Sequence, residues 1–344
     1  MDKNKNNRVL VISPADSFFT MPHVRAFEVL GFECKTFDNR SSYFYSSPIL
    51  RKLMRVFPRL RIIRKITLDQ MNNNLISQVG EYKPFLVFSV KADNIYPETV
   101  TEIKKMGVVT ACFYIDLMDH WPVISKLAPV YDHFFNQCNL VISRLKSELG
   151  LNNCFYMAHS TEPMPENKLL REKKYNTSFI GTHNNQLYPN REKYLNSIGG
   201  LGLHIWGTDG WLSTSLKDCF HGRSYGDQRF EIYSNSKIVI DINWDIMPAE
   251  GLSNRPFEAC GAGALFMTDY VREDIKRVYE EGKEVVLFKN ENELREKIEY
   301  YLKHDDERRN IALAGYRRTV ADHTYMNRVK QLLDTIKNPE KYLR

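Results

Sequence analysis

The stretch PAEGLSNRPFEACGAGALFMTD, residues 248–269, is the most informative part of this sequence. It ends in an apolar run, 264–269, which follows the small-residue turn ACGAG. Glu250 and Glu258 stand in the polar part, separated by seven residues. This order predicts a loop, a helix that begins near Asn254, and a buried strand, as in a parallel α/β sheet.

The start of that helix has features of an anion-binding site. A helix N-terminus presents unpaired backbone N–H groups and a partial positive charge, and Arg255 would add a full charge. Glu258 would lie in the first turns of the helix. The loop before it contains Glu250, Gly251, Ser253 and Asn254. Two interpretations stay open on these residues alone: a diphosphate pocket, or a solvated helix with a salt bridge between Glu258 and Arg255.

Short apolar runs alternate with amphipathic segments on both sides of this stretch. The predicted strands lie at 8–13, 34–38, 84–90, 108–116, 176–182, 203–207, 237–243, 264–269 and 284–288. The predicted helices lie at 23–33, 98–107, 190–199 and 228–236, with a helical tail from about Glu291. Strands that alternate with helices form parallel sheets covered on both faces, so we expect two Rossmann-like domains facing each other across a cleft.

We place the first domain at 1–160, a linker at 161–175 and the second domain at 176–324. A last helix, 325–344, is expected to pack back on the first domain. The length of 344 residues fits two domains, and 43% hydrophobic with 26% charged residues excludes a disordered, collagen-like or coiled-coil chain.

The sequence favours a soluble, cytoplasmic protein. Its longest nearly uncharged apolar run, Met106–Ile115, is much shorter than the ~20 residues that cross a bilayer, and we find no signal-peptide core. The six cysteines are scattered without a Cys-x-x-Cys pair, so we interpret them as reduced core thiols and not as zinc ligands or disulfides.

The net charge of +6 comes from one segment of the first half. Residues 51–65, RKLMRVFPRLRIIRK, contain seven basic residues and no acidic one. Apolar residues at helical spacing lie among them, which predicts either two helices that meet near Pro58 and rest on anionic lipid, or a solvated face. Arg55, Arg59 and Arg61 are the candidates for this membrane or acceptor side, and a nucleic-acid partner is not expected.

The second half resembles a known group of enzymes. Six blocks occur in order over 176–330: SFIGT with Arg191, HIWGTDGW, HGRSYGDQRFEIYSNSKIVIDIN, GLSNRPFEACGAGALFMTD, EVVLF with the following helix, and HTYMNR. They are similar to GT-B glycosyltransferases of the retaining, glycogen-synthase-like group with its Glu-x7-Glu motif, and to the CgeB-like spore-maturation glycosyltransferases.

The resemblance implies a nucleotide-sugar donor, bound chiefly by the second domain, and a transfer reaction without a metal ion or other cofactor. Glu258 would bind the ribose hydroxyls, and Glu250 would face the donor sugar. Arg255 and Arg191 would neutralise the diphosphate. The other implied donor-binding residues are Gly181, Thr182, Gly207, Tyr225, Gly251, Ser253 and Asn254. The sequence departs from the group in lacking a Lys shortly after the first strand of this domain, where only Arg191 is available.

Candidate acceptor-side chemistry follows the predicted strand 108–116. Ligands bind at the carboxyl ends of strands in open α/β sheets, and this end carries Asp116, Asp119 and His120. Asp116 is our first choice for a base if the enzyme inverts, or for an orienting group if it retains. The alternative is that Asp116 caps the next segment. Asp16 would face the same edge.

Two further patterns in the sequence suggest chemistry, and two other functions are compatible with the same fold. Asp241 and Asp245, in DINWD, look like a metal-binding Asp-x-Asp pattern, but Asp241 falls inside a predicted strand, and His323 suits a structural role better than catalysis. The expected function is sugar transfer from a UDP-sugar or similar donor to a glycan, lipid-linked or cell-surface polysaccharide acceptor. The alternatives are a non-catalytic sugar-binding module and a GT-B-shaped nucleotide-sugar epimerase.

Overall fold

The structure is a computed structural model that describes residues 6–15, 17–40, 60–169, 171–224, 226, 228–243 and 251–342. It divides into two compact units, one formed by Met1–Ala158 with Tyr325–Arg344 and the other by His159–Thr324. Within the described residues, no helix combines the length and the apolar character needed to span a membrane.

The first domain is built on a parallel sheet of six strands. Its strands are β1 (Arg8–Ile12), β2 (Glu33–Phe37), β3 (Leu86–Val90), β4 (Val109–Tyr114), β5 (His133–Asn136) and β6 (Cys154–Tyr156), in the order β2-β1-β3-β4-β5-β6. Every residue of β3 is buried, because helices cover both faces of the sheet. The edge strand β2 is largely exposed.

Helices of the first domain form two apolar layers on this sheet. They are α1 (Thr20–Val29), α2 (Leu60–Tyr82), α3 (Pro97–Lys105), α4 (Trp121–Leu127) and α5 (Asn139–Leu149). Side chains of α2 to α5 pack on one face, and those of α1 pack on the other. The sequence did not predict α4, β5, α5 or β6. The strands β5 and β6 have only four and three residues, so their sequences show no clear period.

The second domain contains a parallel sheet of five strands. These are β7 (Tyr175–Gly181), β8 (Leu203–Gly207), β9 (Ser236–Asp241), β10 (Leu265–Asp269) and β11 (Val286–Phe288), in the order β11-β10-β9-β7-β8. The helices are α6 (Pro189–Ser197), α7 (Gln228–Ser234), α8 (Arg255–Gly261), α9 (Ile275–Val278), α10 (Glu291–Lys303) and α11 (Asp305–Asp322). The two parallel sheets with their helices confirm the predicted pair of Rossmann-like domains.

The final helix α12, Tyr325–Lys337, belongs to the first domain. Its residues Tyr325, Val329 and Leu332 are buried in the same apolar layer as α1. The Arg328 guanidinium donates to the Ala158 carbonyl at 2.7 Å. The helix therefore completes the core of the first domain, although it lies at the other end of the sequence.

Candidate functional site: the carboxyl edges of the two sheets

The site of the second domain lies where the order of its strands changes direction. Strand β7 pairs with β8 on one side and with β9 on the other, so the chain switches sides between β7 and β9. In open α/β sheets, ligands bind at this switch point, outside the carboxyl ends of the strands. Gly181, Asp241 and Asp269 end the strands β7, β9 and β10 here.

An ion pair joins the end of β9 to the start of α8. The Arg255 guanidinium donates to Asp241 Oδ1 at 2.9 Å, and the Asp241 side chain is 2% exposed. Asp241 therefore lies inside the sheet, as the sequence indicated, and its carboxylate is already paired with a cation. The helix begins at Arg255 as predicted, but it has only seven residues, so Arg255 supplies more positive charge at this edge than the helix dipole.

Glu258 is almost fully buried in α8. One carboxylate oxygen, Oε1, lies 3.3 Å from the Arg229 guanidinium of α7, and the side chain is 3% exposed. Burial raises the pKa of Glu258 above its usual range, and Arg229 and Arg255 act in the opposite direction. The second oxygen, Oε2, has no hydrogen-bond partner among the described residues. The open alternative of a solvated helix carboxylate is therefore wrong.

Arg191 connects the two strands at the switch point. Its Nη1 donates to the Thr182 carbonyl and its Nη2 to the Ile242 carbonyl, both at 2.7 Å. The guanidinium stacks 3.5 Å from the centre of the Tyr188 ring, and the residue is 2% exposed. Burial, and then the nearby Arg255, lower the pKa of Arg191. Two cations thus lie close together at this edge. Both terminal nitrogens of Arg191 bond to the backbone that follows β7 and β9.

Asp269 forms the third corner of this edge. Its two oxygens accept from the backbone and side-chain N–H groups of Asn243, both at 2.8 Å. Burial raises the pKa of Asp269 to about 6, the bonds from Asn243 oppose that rise, and the nearby Asp241 adds to it. Asp269 could not be recognised as a site residue from the sequence, because it is simply the last residue of a predicted apolar strand.

Gly181 and Gly207 bring two turns of the backbone into contact. A Cβ on Gly207 would lie 1.9 Å from the Gly181 carbonyl oxygen, which leaves no space for any larger residue. The same oxygen accepts from Trp211 Nε1 at 2.9 Å. The two glycines therefore let the turns after β7 and β8 pack closely; Thr182, the next residue, is exposed. Their predicted contact with the donor stays a prediction.

The loop before α8 is held by a buried carboxylate. The Gly251 amide donates to Asp274 Oδ2 at 2.7 Å, and Gly251 has a positive φ of 86°. Ser253 Oγ accepts from the Arg255 amide at 3.3 Å, whereas Asn254 makes no side-chain cap. Glu250, Tyr225 and Asp245 lie outside the described residues.

In the first domain, a mixed set of charges follows β3 and β4. Lys91 Nζ lies 2.6 Å from Asp116 Oδ2 and 3.8 Å from Asp93 Oδ2. His120 Nδ1 lies 3.6 Å from Asp116 Oδ2 and 3.0 Å from the Tyr114 hydroxyl. The structure thus brings two predicted residues, Asp116 and His120, together, and adds three that sequence reasoning missed.

Asp93, Asp116 and His120 are a set that could hold a metal ion, since one ligand atom of each lies within 4.8 Å of the others. The Lys91 ammonium already contacts both carboxylates of this set, and the Tyr114 hydroxyl donates to Asp93 at 2.5 Å. Burial, and then Asp93, raise the pKa of Tyr114. Lys91 has a left-handed φ of 56°, which is unusual for a residue with a side chain. The local positive charge at this set is therefore supplied by the chain itself.

The remaining predicted residues fall into two groups. Asp119 lies in the same turn as His120 but is exposed, so the structure does not bring it to Asp116. Asp16, Arg55 and Arg59 lie outside the described residues, and only the backbone of Arg61, in the first turn of α2, is described.

His323 has a structural setting, as predicted. It is buried, bonds the Val278 carbonyl at 3.0 Å, and packs on Phe257 and Tyr279.

Residues 191–334 match the family described as "Glycosyl transferase-like". The matched segment contains Arg191, Arg255 and Glu258. This part of the chain is therefore similar to glycosyltransferases. No curated protein matches the sequence.

Solved structures share the fold of this protein over nearly its whole length. A glycosyltransferase from Rickettsia africae is 11% identical, with 97% of this chain and 100% of that chain covered and a TM-score of 0.64. Anabaena HepE, solved in complex with UDP and glucose, is 9% identical, with 96% and 99% covered and a TM-score of 0.60. A Listeria monocytogenes protein described as a UDP-N-acetylglucosamine 2-epimerase is 12% identical, with 98% and 97% covered and a TM-score of 0.57. At these identities the likeness establishes the GT-B fold alone.

Proposed function

We propose that this protein is a glycosyltransferase that moves a sugar from a nucleotide-sugar donor, of the UDP-sugar class, to a glycan or lipid-linked acceptor of the cell envelope, and that it does so without a metal ion. The observation that carries the proposal is Glu258, a buried carboxylate with one unpartnered oxygen at the switch point of the second sheet. HepE, which shares the fold, was solved with UDP and glucose.

Glu258 fits the ribose of the nucleotide. Buried polar atoms are nearly always hydrogen-bonded, and a carboxylate oxygen without a partner among the described residues can accept from a bound ligand. A ribose offers two adjacent hydroxyls, and an ionised carboxylate accepts from both. In this assignment Arg229 balances the charge of Glu258 on the protein side, while Oε2 receives the sugar hydroxyl.

Arg255 fits the diphosphate. Breaking the bond between sugar and phosphate requires positive charge that is already in place for the leaving group. Arg255 is anchored through Asp241 but its side chain stays 28% exposed, so part of the guanidinium is available to a ligand. Arg191 lies behind it, buried on carbonyl oxygens. We assign Arg191 a positioning role and Arg255 the direct contact.

Asp116 is the proposed group for the acceptor hydroxyl. Lys91 holds its carboxylate, and His120 lies beside it with a hydrogen bond to Tyr114. A general base must lie within hydrogen-bond reach of the proton it takes, and the part-exposed Asp116 carboxylate is open to an acceptor hydroxyl. In an enzyme that retains configuration, the same group orients the acceptor.

The first test is a thermal-shift screen against UDP-, GDP-, dTDP- and CMP-sugars, since a ligand that binds the folded state raises its stability. With the donor identified, Glu258→Ala should weaken donor binding by about tenfold or more, because a charged hydrogen bond contributes about 1.5–3 kcal/mol. Glu231→Ala, at an exposed position of α7, is the matched control. Unchanged donor affinity of Glu258→Ala rejects the assignment.

Glu250→Ala distinguishes the two glutamates. If Glu250 faces the sugar, this variant should lose turnover while its affinity for free UDP stays close to that of the wild type. Equal loss of UDP affinity in both variants would show that the two roles are wrongly assigned.

Metal independence has its own test. EDTA should leave activity intact, and restoration of lost activity by Mn²⁺ would overturn the proposed metal independence.

The epimerase reading is the second candidate, favoured by the Listeria protein described above. Both functions require the same donor pocket, so binding does not separate them. The separating measurement is release of free nucleotide with and without an acceptor. A transferase releases UDP in proportion to acceptor glycosylated, whereas an epimerase releases UDP or an altered UDP-sugar without any acceptor.

We also propose that the protein docks on a membrane surface and that it is of the CgeB-like subtype. At the start of α2, Ile62 is 64% exposed and Ile66 is 59% exposed, one helical turn apart, with the exposed cations Arg64 and Lys65 between them. Apolar and basic residues on one surface favour anionic lipid at the cytoplasmic leaflet. Co-sedimentation with anionic liposomes should be lost in Arg55, Arg59 and Arg61→Ser and at high salt; equal sedimentation in all conditions rejects docking.

A further inference from the structure

A cavity of about 470 Å³ lies in the second domain at the edge of the sheet opposite the donor site. Lys237, the second residue of β9, and Gly263, just before β10, line it together with the start of α11, Leu169 and residues 171–173. Lys237 and Asp241 are four residues apart on one strand, or about 13 Å at the rise of a parallel strand. The cavity is therefore separate from the donor residues.

The lining of this cavity is strongly basic. It contains five cations, Arg171, Lys173, Lys237, Arg308 and Arg309, and two carboxylates, Glu172 and Asp305. Asp305 is shared, since Arg308 donates to one of its oxygens and Arg309 lies 3.4 Å from the other. Arg171 and Lys237 form no hydrogen bond or salt bridge with any residue that the structure describes.

Two of the cations are anchored on backbone carbonyls. The Arg308 side chain is 4% exposed and donates to the Tyr301 carbonyl at 3.1 Å. Lys173 Nζ donates to the Ser234 carbonyl at 2.7 Å. Burial, and then the Arg308 charge, lower the pKa of Lys173 to about 8. Like charges this close together are unfavourable unless an anion offsets them.

We propose that this cavity is a second ligand site that binds a small phosphomonoester, of the size of a hexose phosphate. Five cations against two carboxylates suit a dianion, and the guanidinium groups of Arg171 and Arg309 match the geometry of phosphate oxygens. The volume lies within the range of about 300–1,000 Å³ typical of small-molecule sites. Among the described residues, its lining has no aromatic side chain on which bases could stack, so it does not suit a nucleic-acid strand.

The test uses the full chain and isothermal titration with glucose 6-phosphate, inorganic phosphate and glucuronate, at constant ionic strength. Glucose 6-phosphate should bind saturably with a Kd of about 1 mM or tighter. Glucuronate, with a single charge, should bind at least about tenfold more weakly. Inorganic phosphate that binds as well as the sugar phosphate would show that the site takes the phosphate group alone, which overturns the hexose-phosphate assignment.

Lys237→Ser with Arg309→Ser is the decisive variant, because it removes two cations of the cavity without a buried contact. It should weaken glucose 6-phosphate binding by about tenfold to hundredfold. Lys217→Ser with Lys289→Ser removes the same charge from other surfaces of the domain and should leave Kd unchanged. Equal weakening in both double variants would mean a non-specific charge effect and overturn the proposal.

Competition separates this site from the donor site. Saturating UDP should leave the affinity for glucose 6-phosphate unchanged, since the two sites lie at opposite edges of one sheet. If UDP displaces glucose 6-phosphate, the phosphate binds at the donor site and the proposal fails. A protein that binds no UDP at all would contradict the proposed donor but would leave the cavity measurement intact.

Discussion

The carboxyl edges of the two sheets carry similar kinds of residue in different states. In the second domain, Asp241 and Glu258 are 2% and 3% exposed, and each is paired with one arginine. In the first domain, Lys91 and Asp116 are 23% and 26% exposed and share contacts with Asp93 and His120. The edge of the second domain is thus buried, whereas the edge of the first domain is half-open to water.

The largest expected effect concerns the half-open edge. Asp116→Asn should lower kcat by about 10²–10⁴-fold, because general-base catalysis contributes a factor of that size. Donor Kd should not change. Asp119→Asn lies three residues away in an exposed position and should keep wild-type kcat. A small effect of Asp116→Asn, or equal loss in both variants, would remove Asp116 from the chemistry.

The buried edge should respond in stability. Asp241→Asn leaves the Arg255 charge without its partner, and breaking a buried pair costs about 3–5 kcal/mol. Because the Arg255 side chain is 28% exposed, we expect the lower end of this range, a loss of about 3 kcal/mol in the free energy of unfolding measured with urea. Asp116→Asn is the comparison at the other edge and should lose about 1 kcal/mol or less. Equal losses would contradict the contrast between the edges.

Asp269 gives the buried edge a pH dependence. A carboxyl whose pKa rises from 3.8 to about 6 on folding holds its proton more tightly in the folded state. The folded protein therefore loses stability as pH rises from about 4 to about 6, by roughly 2–3 kcal/mol for this group. Asp269→Asn does not titrate, so unfolding free energies of the two proteins should diverge over that window. Parallel curves would show that Asp269 ionises normally.

The smallest expected effect is at Lys91. Lys91→Met removes a half-exposed ion pair and should cost about 1 kcal/mol or less. Lys91→Gly removes the same charge but suits the left-handed backbone, so it should be about 1 kcal/mol more stable than Lys91→Met. Thermal denaturation of the two variants measures this difference. If Lys91→Gly is the less stable variant, backbone strain at this residue is negligible.

The fold could be predicted from the sequence where its period was long enough. Strand β8 and the start of α8 were placed correctly because apolar runs and turn residues mark them. Strands β5 and β6 escaped because four and three residues give no period, and only pairing with distant strands defines them.

The site was predicted only where a local motif exists. Glu258 and Arg255 belong to one local motif, residues 250–258. Arg229 and Asp269 come from other elements of the second domain, and Lys91 belongs to the separate set of charges in the first domain, so no spacing along the chain reveals them. Arg191 shows the converse. Its position in the sequence suggested a phosphate contact, but its guanidinium is buried and bonds to two backbone carbonyls.

Helix α12 has a consequence for synthesis on the ribosome. The first domain begins the chain, but its core includes Tyr325, Val329 and Leu332, which leave the exit tunnel after the whole second domain. Domains generally fold as units, the N-terminal one first, at about 5–20 residues per second. Here the first domain waits many seconds with part of its apolar surface uncovered, so the domain that starts first is finished last, and a chain truncated at Thr324 should need a chaperone.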